Sequence, residues 1–238
     1  MKIPYKTKLL SLFISSVVLV SGCVDVSNQL VPPSIDYSSQ IKIVNLVIGS
    51  GTTSLSMNSQ SLGSVDFGAE VPGPGSAFLT VPSGSKTLVA TFSDNSTKSY
   101  QFSLSTDYKY RLFLVGDLTS SDASLIAQRM IFQTKDTQSG SSLFPDGKAQ
   151  MMFFNGSPDA SLNAVVFNSD TINFETPIGQ GESTSYILVD GNADYNIQVI
   201  YNDSLVVAFS QNLVSRNRYT AVIFDQSSSL KNAVFLDD

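Results

Sequence analysis

Few residues in this chain are of types that do chemistry, and the gaps are as informative as the residues. Its 238 residues include no histidine, no tryptophan and one cysteine, Cys23. Without histidine the chain lacks the side chain that titrates near neutrality, and with it the Ser-His-Asp arrangement of many hydrolases. The "GPGS" of residues 73–76 has neither the lysine nor the helix start of a phosphate-binding loop. Carboxylates remain. Glycoside hydrolysis needs two of them across one bond, one holding its proton. The three glutamates, Glu70, Glu175 and Glu182, stand in no such signature. The sequence therefore predicts no enzyme, no cofactor and no metal, although two acids can meet in three dimensions without a trace in the sequence. Ser157-Pro158-Asp159 could offer a carboxylate at a loop tip. We expect instead that the Ser157 and Asp159 side chains bond nearby backbone N–H groups while Pro158 fixes the bend. The "DGNAD" of residues 190–194 is oxygen-rich like a calcium loop but lacks the terminal glutamate, so a hairpin turn before Tyr195 is expected.

Cys23 follows a segment built like an export signal. Lys2, Lys6 and Lys8 form a positive head, and residues 9–20, "LLSLFISSVVLV", form an apolar core. That core is shorter than the roughly 20 residues a membrane-spanning helix needs. Val20-Ser21-Gly22-Cys23 then resembles a bacterial lipobox. The resemblance implies cleavage between Gly22 and Cys23, a diacylglyceryl group on the Cys23 thiol, and acylation of the new amine. An ordinary secretory signal with an incidental cysteine is the alternative. One acyl chain binds a membrane marginally at about 0.8 kcal/mol per buried methylene, whereas two or three on one residue hold durably. In lipoproteins of two-membrane bacteria an aspartate directly after the cysteine retains the protein at the inner membrane. Val24 fills that slot and Asp25 comes one later, so the expected location is the outer membrane, the alternatives being the outer face of the cytoplasmic membrane or the cell surface.

Charge narrows the partners. Loss of Lys2, Lys6 and Lys8 would leave eleven basic against twenty acidic side chains. Such a surface repels nucleic acid, whose binding rests on basic contacts to phosphate. It also disfavours adhesion to anionic lipid, so the lipid itself would make the membrane contact. With one cysteine there is no internal disulfide, even in an exported chain.

The elements that must position these residues read as strands. Short apolar or alternating runs are separated by Gly, Ser, Asn, Asp and Pro, the pattern of an all-β sandwich. "YKYRLFLV" places Tyr108, Tyr110, Leu112 and Leu114 on one face and Lys109 and Arg111 on the wet one. "YNIQVIY" sets Tyr195, Ile197, Val199 and Tyr201 against Asn196 and Gln198. "KTLVATF" sets Leu88, Ala90 and Phe92 against Lys86, Thr87 and Thr91. Residues 122–132, "DASLIAQRMIF", could begin as a helical turn, with a strand in the second half.

An offset near 110 residues reveals a repeat. "IKIVN" ending at Asn45 matches "QMMFFN" ending at Asn155, and "MNS" at residue 57 matches "FNS" at residue 167. "FLTVPSG" at residue 78 matches "YILVDG" at 186, and "KYRLFLVGD" at 109 matches "RYTAVIFD" at 218. "GKAQMMFFNGSPDAS", residues 147–161, resembles the start of a repeat in the family known as domain of unknown function 4397. The likeness continues through residues 181–183 ("GES"), the strand at 186–189 and the strand at 219–222. The first copy, "NLVIGSGTTS", has no Ser-Pro-Asp-Ala element, and Asn155-Gly156 holds a slot where that family often has histidine. The resemblance implies immunoglobulin-like β domains, often in tandem, in exported bacterial proteins, with no established activity.

The expected organisation is a signal peptide (1–22), a lipidated N-terminus and tether (23–40), and two tandem immunoglobulin-like antiparallel β-sandwiches (41–139 and 147–238). The connector is "TQSGSSLFPDGK" at residues 137–148. The expected function is a lipid-anchored, non-catalytic envelope protein that binds or adheres to an envelope protein or glycan. The alternatives are a structural spacer or assembly subunit, and a carboxylate-dependent glycoside hydrolase.

Overall fold

Period-two patterning becomes strands throughout. The computed structural model describes residues 37–120, 122–130, 145–201 and 204–237. The signal segment, Gly22 and Cys23, the tether to residue 36 and residues 131–144 of the connector region lie outside the described residues. The first repeat supplies β1 (Ser38–Ile48), β2 (Thr53–Met57), β3 (Gln60–Val65), β4 (Glu70–Val71), β5 (Leu79–Pro82), β6 (Gly84–Thr91), β7 (Thr97–Leu104), β8 (Lys109–Asp117) and β9 (Asp122–Met130). The second supplies β10 (Lys148–Asn155), β11 (Leu162–Phe167), β12 (Asp170–Ile178), β13 (Ile187–Asp190), β14 (Ala193–Tyr201), β15 (Ser204–Leu213), β16 (Arg218–Phe224) and β17 (Lys231–Leu236). Of the run at residues 122–132, the described part, Asp122–Met130, is strand throughout rather than a helical turn; residues 131–132 lie outside the described residues.

Each repeat folds into two sheets. In the first, β4–β1–β8–β9, with β5 beside β1, faces β3–β2–β6–β7. In the second, β13–β10–β16–β17 faces β12–β11–β14–β15. Pairing is antiparallel except at the centre of one sheet in each repeat, where β1 runs parallel to β8 and β10 to β16. The first core joins Ile41, Ile43, Leu88, Leu112 and Leu114, and the second joins Met151, Phe153, Val165, Ile197 and Ile223.

A third core joins the two sandwiches. Val44, Leu46, Phe113 and Val115 meet Phe154, Val222, Phe224 and Phe235. The Phe113 and Phe154 rings stack with centroids 3.9 Å apart, a contact of about 0.5–1.5 kcal/mol beyond burial itself. The central strands are therefore buried on both faces. Along β8, Tyr110, Leu112 and Leu114 enter the first core while Phe113 and Val115 face the second sandwich. This corrects the wet face expected for β8: Arg111 is completely buried. Lys86 is also corrected. It shares a face with Leu88 and Ala90, is buried, and extends its ammonium to the Ser83 and Ser85 carbonyls at the sandwich end.

Local devices recur between the repeats. The Tyr110 hydroxyl accepts the Ser105 N–H and the Tyr219 hydroxyl accepts the Val214 N–H, each five residues upstream and at 3.0 Å, as in the tyrosine corner of immunoglobulin-like sandwiches. Asn45 and Asn155 each accept the N–H two residues on, from Val47 and Ser157. Each also donates to the last residue of the third strand of its repeat, at Val65 and Ile178.

Candidate functional site

The Ser157-Pro158-Asp159 loop follows β10, where buried Asn155 turns the chain. Ser157 is buried and its hydroxyl lies 3.1 Å from Asp159 Oδ1. Asp159 is exposed, yet its carboxylate accepts the Ser227 N–H at 2.7 Å and the Ser227 hydroxyl at 2.7 Å. Burial acts to raise its pKa, but the bonds from Ser227 and Ser157 outweigh it and hold the carboxyl below the usual aspartate value. Asp159 therefore pins this loop to the β16–β17 connection. In place of the expected bonds to nearby backbone N–H groups, Ser157 bonds Asp159, and Asp159 reaches Ser227 in a distant loop.

Residues 190–194 turn between β13 and β14, which belong to different sheets, so they form a corner rather than a one-sheet hairpin. Lys148 pairs with Asp190, and Asp194 accepts from Asn212. Glu182 caps a turn by accepting the Gly179 N–H at 2.8 Å, and Glu175 lies on β12. Among the described residues no group of three or more Cys, Asp or Glu side chains is placed to hold a metal.

The concentrated chemistry lies at the junction, and sequence reasoning missed it. Lys42 on β1 and Arg111 on β8 are register partners facing the second sandwich. Lys42 donates to Glu70 Oε1 at 2.7 Å. Arg111 Nη2 lies 3.4 Å from Glu70 Oε2 and donates to the Leu236 carbonyl at 3.0 Å. Its Nη1 stands 3.0 Å from Asp237 Oδ1 without hydrogen-bond alignment, so that contact is chiefly Coulombic. Asp237 Oδ2 accepts from Thr220 at 2.7 Å and from Tyr186 at 2.8 Å. Burial first, then the Asp237 carboxylate, push the Tyr186 phenol well above its ordinary pKa and keep it a donor. The guanidinium lies 4.9 Å from the Phe235 ring centroid. Lys42 and Arg111 thus meet Glu70 and Asp237 in a buried layer joining the repeats, with buried Arg218 close enough to act on Tyr186.

A cleft of about 270 Å³ opens beside this layer. Lys42 and Glu70 line it, with Pro74 and Ser76 from the β4–β5 loop and Gln211 and Phe235 from the second sandwich. The Phe78 ring closes that loop beneath the ammonium groups of Lys42 and Lys109, 5.2 and 5.0 Å from its centroid. The missed signal was a lone arginine inside the apolar run of β8; nothing in the sequence marks Asp237 as its partner.

The molecule is an all-β protein of paired sandwiches. No family model matches the chain, and no curated protein matches it. Among solved structures, a candidate cell adhesion protein of Bacteroides ovatus ATCC 8483 shares 9% identity over 84% of this chain and 97% of its own, with a TM-score of 0.26. A second, from Bacteroides fragilis NCTC 9343, shares 10% identity over 84% and 98%, with a TM-score of 0.22. Scores this low establish neither a common fold nor a common role.

Proposed function

We propose that the chain is an exported, lipid-anchored and non-catalytic envelope protein whose fused sandwiches present a binding surface to an envelope partner. The observation that carries this reading is how the charged groups at the junction are used. Glu70 and Asp237 are both taken up by Arg111, and Asp237 also by Thr220 and Tyr186. A hydrolase needs two carboxylates free to face one bond. The lipobox-like Val20-Ser21-Gly22-Cys23 supports anchoring, in the outer membrane by the identity of Val24. The motif following β10 supports kinship with the domain of unknown function 4397 family. Affinity capture from native envelopes, with the acylated chain and with a Cys23→Ala form, tests the reading. At least one partner enriched by the acylated chain is expected. No enriched partner, together with no binding to a broad glycan panel, would defeat it.

One observation favours a second reading, an assembly subunit. β12 is a sheet edge whose first four residues, Asp170–Asn173, pair regularly with β11 before Glu175, Pro177 and a register shift interrupt the strand. Sedimentation of the purified chain at rising concentration separates the two, because pairing along β12 predicts self-association that Ile172→Lys abolishes.

A further inference from the structure

The two repeats provide an internal control on the junction cleft. Met152 and Thr220 of the second repeat pair in the register held by Lys42 and Arg111 in the first. Ser183 bridges Phe154 as Glu70 pairs with Val44. The fold at these positions is thus built once from Met, Ser and Thr and once from Lys, Glu and Arg. Buried ion pairs are poor sources of stability, since apolar replacements of similar size are often neutral or stabilising. The connections differ as well. After β4 the first repeat runs through residues 72–78 before β5, whereas only residues 185–186 separate Thr184 from β13. The additional segment supplies Pro74 and Ser76 to the cleft. Both departures from the repeat, in charge and in loop length, thus converge on one cavity.

We infer that this cleft is a binding site for one ring of a neutral carbohydrate, a refinement that rests on the binding role proposed above. Its volume falls just below the roughly 300–1,000 Å³ of sites for drug-sized ligands, which suits one small polar molecule. Lys42 has three donors and Glu70 takes one of them. A ligand hydroxyl can accept from that ammonium and donate to the adjoining carboxylate, which a plain anion or cation cannot do. Ser76 and Gln211 add hydroxyl and amide groups at the rim, and Phe235 adds an apolar surface.

The test titrates the mature protein in detergent with methyl glycosides of glucose, galactose and N-acetylglucosamine, with glucosamine and N-acetylneuraminate as charged controls. Saturation-transfer NMR and calorimetry provide the readout. At least one neutral glycoside binds and outcompetes the charged sugars. Gln211→Ala and Lys42→Met each weaken it about tenfold, the scale of one lost hydrogen bond. Gln211→Ala melts as the parent does, which separates lost binding from lost folding. Binding unmoved by either substitution, or stronger for a charged sugar, overturns the site. So does failure of every neutral glycoside to bind, and if an envelope partner is still captured, the binding role survives without this site.

Discussion

Asp159 joins two loops that lie 68 residues apart in the chain. With its pKa lowered by the bonds from Ser227 and Ser157, the clamp contributes fully above the ordinary aspartate value of about 3.9 and is lost as pH falls through the lowered one. Asp159→Ala should cost about 1 kcal/mol in denaturant unfolding at pH 7. The cost should shrink toward zero in strong acid, and an equal cost at both pH values would refute the clamp. Gly156, just before this loop, is read differently in the structure than in the sequence. A Cβ there would sit 2.8 Å from Leu46 Cδ1 in the other sandwich. Gly68 repeats the arrangement: its φ is +81° and a Cβ would lie 2.8 Å from Phe224 Cζ. The slot held by Asn155-Gly156 is thus explained here by a turn and a close approach, needing no chemistry.

At the scale of strands, most of the sequence reading survives, and the failure at the junction has one cause. Ile197 and Val199 are buried on the predicted face of β14, because an outer sheet has one wet side. β8 and β16 are buried on both sides, and their unbroken runs "LFLVG" and "TAVIF" carried that signal. Alternation was the wrong template for them. It sent Arg111 to solvent when its partners come from β4 and from the residue after β17, which no local pattern connects. Removing one member of the buried set should be severe: Arg111→Met takes away the cation shared by Glu70 and Asp237, leaving Lys42 on Glu70 alone, at a cost of about 3–5 kcal/mol. Replacing the set together, with Lys42→Met, Glu70→Ser, Arg111→Thr and Asp237→Asn, adopts the second repeat's residues at the first three positions and should restore most of that loss. Denaturant midpoints of both variants decide the matter. Equal damage in both would show that the charges are required for the fold.

For the whole molecule, the repeat was legible but the junction was not. Matched motifs at an offset of 110 predicted two similar modules, but the outer face of β8 was read as wet and nothing joined the modules. Val44, Leu46, Phe113, Phe154, Val222 and Phe224 instead make the modules one body. The two repeats should therefore unfold in a single calorimetric transition. Phe113→Ala should cost about 3–5 kcal/mol and split the transition in two. Two separate transitions in the unaltered chain would contradict the fused junction.

The proposed function requires an anchor, and it gives that task to Cys23. Mass spectrometry of the N-terminal peptide from protein matured in a lipoprotein-processing bacterial host tests the assignment most directly. The expected result is a peptide beginning at Cys23 and carrying a diacylglyceryl group on sulfur. An unmodified thiol, or a peptide retaining Gly22, would contradict it.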